Sequence, residues 1–386
     1  MVDLTEFVDI CPYNDDEAAA ALHQVANHPY IAAGSKFIFP NEEPDFLTKL
    51  LLQVNSINDF QVMVMHKLVE RVIATTIKTF SYDGISNVAD LGRKYLAMSN
   101  HRDIIFDPAI TQLVLFRNGL DLTQIAVGSN LITNDFIEAL MRSNRMVKVV
   151  RGITSRELYL SSQQLSKYIR ATITSGTSSI WLAQRQGRTK DGLDLTEQGL
   201  LKMLDMSGTK NFDENFEELT IVPHSISYEY EPCDIFKARE RLISRKGKYV
   251  KAPGEDWASI IYGINQWKGN VHLNIGKPLT TAELALAATC DKNDRYSGIR
   301  HAVDRRVIEG YKLWKTNYIC YDMVNGTDKY ADKYTSDDVE KFKAYMEHRL
   351  NKVERSLNRE ELKDIFLHIY ANPVISKENF EQGIWK

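Results

Sequence analysis

The segment Ser99-Asn100-His101-Arg102-Asp103-Ile104-Ile105-Phe106-Asp107-Pro108 gathers residue types that can do chemistry at short spacing. A histidine beside a carboxylate can take a proton from an attacking alcohol. The carboxylate holds one tautomer of the imidazole and stabilises the imidazolium as it forms. Asp103 and Asp107 both stand near enough in sequence to be that carboxylate. Asp107 followed by Pro108 also reads as a helix start, with the acid as cap and the proline at the first helical position. The triplet His101-Arg102-Asp103 imitates a protein-kinase catalytic loop, but Pro108 stands where that loop needs asparagine and no Asp-Phe-Gly follows. A kinase is excluded.

The elements around this segment set its place. Tyr95-Leu96-Ala97-Met98 just before it reads as a buried strand, and Pro108–Phe116 just after it as a helix. A loop between a strand and a helix is the usual position of catalytic groups in an α/β sheet. Met146–Val150, Ile180-Trp181-Leu182-Ala183 and Leu219–Val222 are further short apolar runs, and Glu157–Ile173 has helical spacing. Strands separated by helices predict an α/β domain over 88–280, with a mixed, largely parallel sheet flanked by helices. Upstream, Leu47, Leu50, Leu51, Val54, Val62, Val64, Leu68 and Val72 recur at helical intervals from Asp45 to about Phe80, so 1–87 is expected to be a helical N-terminal subdomain. After Leu279 the pattern is helical again. Phe342, Tyr345, Met346, Leu350 and Val353 form an apolar stripe within the helical C-terminal extension expected over 281–386.

Composition excludes several classes. With 48 basic and 51 acidic residues the net charge is −3, the wrong sign for a dedicated nucleic-acid binder. Cys11, Cys233, Cys290 and Cys320 show neither CxxC spacing nor a histidine pair, so reduced thiols are expected and a metal site is not. The acidic start Met1-Val2-Asp3-Leu4-Thr5-Glu6 lacks the basic flank and apolar core of a signal peptide. No apolar run approaches the ~20 residues a membrane span needs. The expected location is therefore the cytoplasm, with any membrane contact peripheral at the inner face. A Gly-x-Ser-x-Gly elbow is absent, against a serine hydrolase.

Four further blocks lie downstream: Gly128-Ser129-Asn130-Leu131 leading through Met141 to Arg151; Trp181 to Gly192; Ile221-Val222-Pro223 running to Tyr228-Glu229; and Gly269 to Leu279. With the histidine–aspartate segment they resemble, in order and spacing, the motifs of the glycerol-3-phosphate and lysophosphatidic acid acyltransferase superfamily. That family's first motif is His-x4-Asp, and here the interval is one residue longer, His101-x5-Asp107. Counting back from Gly119-Leu120, a pair the family also carries, makes Asp107 the counterpart of the motif aspartate and Asp103 the fallback. The block Gln184-Arg185-Gln186-Gly187-Arg188 looks like the family's Glu-Gly-x-Arg loop, with Arg188 as the candidate phosphate ligand, but its glutamate is absent, with Gln184 and Gln186 the nearest residues.

The resemblance implies a mechanism. His101, oriented by Asp107, would deprotonate an acceptor hydroxyl that attacks an acyl thioester carried by coenzyme A or acyl carrier protein. Arg151 and Arg188 would grip the acceptor phosphate, Lys190 would add charge, Gly187 would let the backbone approach, and Pro223 would shape the acyl-binding wall. No metal or redox cofactor is required. Glycerol 3-phosphate is the expected acceptor, because the helical N-terminal region resembles the larger enzymes of the family. Lysophosphatidic acid or another lyso-lipid is the alternative. A catalytically silent lipid-binding protein is the reading from another class, supported by the missing glutamate.

Overall fold

The computed structural model describes residues 5–151, 154–292 and 294–384, so the first four residues of the N-terminal stretch read above lie outside it. Its centre is one seven-stranded sheet in the order β1-β7-β6-β2-β5-β3-β4. The strands are β1 (Ile77–Asp83), β2 (Leu96–Ser99), β3 (Gln124–Gly128), β4 (Met146–Val149), β5 (Ile180–Ala183), β6 (Ile221–Tyr228) and β7 (Gly269–Ile275). Every neighbouring pair is parallel except β6 with β7. The chain thus has the mixed, largely parallel α/β fold that the alternation of apolar runs predicts.

Both faces of the sheet are covered, which is why its strands read as continuous apolar runs. Leu96, Met98, Ile180, Leu182 and Ile221 pack on one face with Leu165, Ile169, Leu204, Val303 and Val307 from the helices Ser155–Thr174, Gln198–Asp205 and Arg295–Gly310. Ala97, Trp181, Val222, Ile226 and Tyr228 pack on the other with Ile110, Leu113 and Val114 of the helix Phe106–Arg117 and with Val69 and Val72 of His66–Thr76. Each such buried side chain contributes about 1.5–3 kcal/mol, so the strand ends that present functional groups are held from two sides.

The ends of the chain are joined to this body. Residues 15–65 form a helical layer cored by Leu22, Ile31, Leu47, Leu51 and Phe60. The helical pattern expected to run to Phe80 stops at Thr76, and Ile77–Asp83 pairs with β7 instead. Ile77, Thr79, Phe80 and Tyr82 are β-branched or aromatic, and a free strand edge beside β7 overrides their weak helical periodicity. The sheet therefore begins upstream of residue 88. Downstream, Ile319, Phe342, Met346, Phe366 and Tyr370 share one core with Ile235, Ala238 and Leu242 of the helix Asp234–Ser244. Among the described residues no helix is long and apolar enough to cross a membrane.

Candidate active site

β2 ends at Ser99, and after six intervening residues the chain enters the helix Phe106–Arg117. The intervening loop is built around Asp107. Its Oδ2 accepts the backbone N–H of Arg102 (2.6 Å) and Asp103 (2.8 Å) and lies 3.0 Å from His101 Nδ1. Its Oδ1 accepts the Tyr228 hydroxyl from β6 at 2.6 Å. Asp107 sits inside the first turn, not at the cap. The capping is done by Asp103, whose Oδ1 accepts the N–H groups of Ile105 and Phe106. The geometry thus pairs His101 with Asp107 and gives Asp103 to the backbone. Asp103 Oδ2 also faces Gly263, where a Cβ would lie 2.6 Å away.

With Nδ1 directed at a buried carboxylate, His101 holds its proton there and leaves Nε2 as the basic ring atom. The imidazole stands edge-on to Trp181, 5.7 Å between ring centres, and its side chain is 13% exposed. It can reach solvent, whereas Asp107 cannot. Burial, and then the Asp107 charge, push the Tyr228 hydroxyl well above its ordinary pKa, so it remains a donor to that carboxylate.

Behind the histidine lies a buried ionic web. Arg102 is fully buried and donates to both oxygens of Asp194 (3.0 and 2.7 Å), to Glu231 (3.1 Å) and to the Gly192 carbonyl (3.2 Å). Lys237 bridges Glu231 and the Arg102 carbonyl. Asp194 accepts in addition from Asn100 Nδ2 (2.9 Å) and Thr189 Oγ1 (2.9 Å). Asn100 also brackets Ile226 of β6 through both backbone groups. Asp194 therefore ties the His101 loop to the loop after β5, and the Thr189 N–H donates to the His101 carbonyl at 2.7 Å. The sequence alone gives Asn100, Arg102, Asp194, Glu231 and Lys237 no role. A charged residue immediately after a candidate base, flanked by apolar runs, is the only signal that pointed to them.

The predicted phosphate ligands stand on two loops at the same end of the sheet. Arg151 follows β4; its N–H donates to Ser129 Oγ, and its side chain crosses Gly128, where a Cβ would come within 2.9 Å of Nε. Burial lowers the Arg151 pKa, offset by Glu197. Glu197 accepts the Gln186 N–H at 3.0 Å, so a carboxylate does reach this region although the motif glutamate is missing. Gln184 is fully buried, and its amide has no hydrogen-bond partner among the described residues. Arg188 is half-buried, and its charge bears on Cys233 and Asp256. Asp256 accepts from Asn130 at 2.9 Å, which brings the Arg188 side toward the Gly128–Arg151 side. Lys190 is paired with Glu240, and burial lowers its pKa. Gly187 turns the loop at φ +73°, with open space where a Cβ would point.

Pro223 lies elsewhere. It is buried in β6 in register with Met98, where the ladder to β7 ends and its carbonyl accepts the Gly276 N–H. A strand tolerates a residue without an N–H at such an end. Level with Met98, Pro223 stands one position short of the strand end that leads into the His101 loop and shares the Met98 face, away from Tyr228. All four cysteines are free, and three of them are buried. An open cleft of about 500 Å³ near the C-terminal end of β7, lined by Asn274, Lys277, Arg305 and Arg306 among others, shares no residue with the His101 site.

Neither a protein-family model nor a curated protein matches this sequence. Among solved structures it is similar to the crystal structure of the 1-acyl-sn-glycerophosphate (LPA) acyltransferase PlsC from Thermotoga maritima. The identity is 12%, the match covers 76% of this chain and 94% of that chain, and the TM-score is 0.36. A superposition that loose transfers neither fold nor activity.

Proposed function

We propose that the chain is an O-acyltransferase that moves a fatty acyl group from a thioester to the hydroxyl of glycerol 3-phosphate. One observation carries the reading: a partly exposed histidine is paired through Nδ1 with a fully buried aspartate, at the end of the sheet where two half-buried arginines also stand. His101 Nε2 takes the acceptor proton as its oxygen attacks the thioester carbonyl. The C–S bond breaks, and the imidazolium returns the proton to the departing thiolate. Asp107 stabilises the imidazolium between the two transfers. General-base help of this kind is worth about 10²–10⁴-fold, and positioning of the two substrates up to about 7–11 kcal/mol. Arg151 and Arg188 present planar, always-charged donors suited to a phosphate. Lys190 adds positive charge nearby, and Gly187 admits the acceptor. The donor is acyl-coenzyme A or acyl carrier protein, and the enzyme works in the cytoplasm at the inner membrane face.

The test is an acyl-transfer assay read by mass spectrometry, offering both donors with glycerol 3-phosphate and lysophosphatidic acid in competition. Acylated glycerol 3-phosphate as the main product supports the proposal. Lysophosphatidic acid as the preferred acceptor keeps the enzyme class and changes the acceptor. His101→Ala is expected to remove turnover. Asp107→Asn keeps the oxygen facing the two N–H groups but loses the charge, and is expected to lower kcat by about 10²–10⁴-fold. Turnover that survives His101→Ala unchanged sinks the mechanism.

A further inference from the structure

The buried carboxylate beneath His101 receives its hydrogen bonds unevenly. Oδ2 of Asp107 faces three donors, His101 Nδ1 and the N–H groups of Arg102 and Asp103, all in the same loop. Oδ1 takes one among the described residues, from the Tyr228 hydroxyl at 2.6 Å, 121 residues away in sequence. Tyr228 ends β6, is fully buried, and shares its core with Phe106, Ile110, Val222 and Ile226. A phenylalanine would fill that core as well, and only the hydroxyl reaches Asp107. Tyr228 is itself in register with Val271 of β7, so the sheet and not the loop fixes where the hydroxyl lies.

A buried tyrosine needs an acceptor, and satisfying it is the plain structural reading. A neutral carbonyl would do that without engaging the group that orients the base. On a carboxylate the bond does two further things. It stops the carboxylate turning about its own axis, so Oδ2 stays on Nδ1. It also draws negative charge toward Oδ1, which weakens the hold of Oδ2 on an imidazolium. The hydroxyl keeps its proton for this, because burial first and the Asp107 charge second push it well above the ordinary tyrosine range. We propose that Tyr228 is a positioning residue that acts through Asp107 to set both the aim and the basic strength of His101. The inference rests on His101 being the base of the reaction above.

The other ionisable groups around the loop are already engaged or titrate elsewhere. Arg102 and Lys237 are held by Asp194 and Glu231, and Lys190 by Glu240. Asp103 accepts two helix N–H groups, and Arg188 stays charged throughout. Burial takes Lys268 down to about 8 and raises the Cys233 thiol, and the Asp103 charge bears on both. Burial holds His224 of β6 at about 3. The acid side of a pH profile near neutrality therefore reports His101.

The experiment follows the His101 Nδ1–H proton by NMR in the free protein, identified by its loss in His101→Ala. Tyr228→Phe is expected to move that signal downfield, because the unshared charge on Asp107 draws the proton harder. A ring-fluorinated tyrosine at position 228, a stronger donor of nearly the same shape, is expected to move it upfield. A side chain that only fills the core gives no such opposition of sign. In the acyl-transfer assay, the acid limb of kcat/KM for Tyr228→Phe should lie about half a pH unit above that of the wild type. Its kcat should fall about tenfold with KM unchanged, the scale of one hydrogen bond to a charged group. Signals that move the same way in both proteins, or not at all, overturn the proposal. Should Tyr228→Phe not fold, the fluorinated protein decides alone, and an unmoved signal overturns it. Opposite shifts in a protein that transfers no acyl group keep the link from Tyr228 to His101 and remove the acyltransferase reading instead.

Discussion

The two sides of the site are built in opposite ways. The His101 side is fastened from behind: Asp107, Arg102, Asp194, Asn100 and Glu231 are all buried, and each has at least two partners. The arginine side is open. Arg151 and Arg188 are only partly covered, and Lys190 makes one partly buried ion pair. The difference follows from the chemistry each side is proposed to do. A general base must be held to fractions of an ångström with one tautomer fixed. A phosphate clamp must stay solvated until its ligand arrives, because an unpaired buried guanidinium is too costly to hold.

Three experiments can break or sharpen this contrast. The largest effect is expected at Arg102, where removal leaves Asp194 and Glu231 buried without their cation. Arg102→Ala is expected to destabilise the fold by about 3–5 kcal/mol in urea unfolding, whereas Lys190→Ala on the open side should cost no more than about 1 kcal/mol. Equal losses would show that the two sides are held alike.

The next effect concerns acid. His224 of β6, whose carbonyl accepts the Asn100 N–H, is fully buried with neither ring nitrogen hydrogen-bonded among the described residues. Burial lowers its pKa to about 3. The folded protein therefore keeps the ring neutral while the unfolded chain takes up a proton below the ordinary histidine pKa near 6.5. The stability is present above about pH 6.5 and is lost as pH falls from there toward 3. At pH 4.5 the loss amounts to about 2.7 kcal/mol, at about 1.36 kcal/mol per pH unit. Unfolding free energies of His224→Phe should fall by that much less between pH 7 and 4.5, and parallel pH profiles would refute the assignment.

The smallest effect belongs to the clamp. Arg188→Lys keeps the charge but loses the planar fork. The KM for the phosphate acceptor is expected to rise roughly tenfold, the equivalent of one hydrogen bond to a charged group at about 1.5 kcal/mol. The unfolding midpoint should not move. A change in kcat alone would place Arg188 with the reacting atoms instead.

Much of this was legible in the residues themselves, and some was not. The runs at Tyr95–Met98, Met146–Val150 and Ile180–Ala183 read as strands because a sheet covered on both faces demands continuous apolar side chains. β3 is not legible locally, since Gln124-Ile125-Ala126-Val127-Gly128 carries a polar first residue and two small ones. β1 reads locally as helix because its neighbour β7 lies almost 200 residues away in sequence. His101 and Asp107 were legible as a pair from type and spacing. The choice of Asp107 over Asp103 was made by Tyr228 and two backbone N–H groups, which only folding brings to one place.

What the sequence by itself determined is the alternation of strands and helices, the excess of acid over base, and the few residues able to accept a proton or grip a phosphate. These depend on side-chain type and near neighbours. Tertiary structure alone decided that Arg102 is a buried strut and not a surface charge, that Glu197 stands near Arg151, and that Pro223 lies off the site. Each of those depends on contacts between segments far apart in the chain, and burial, which sets the worth of every charge, is a property of the assembled fold.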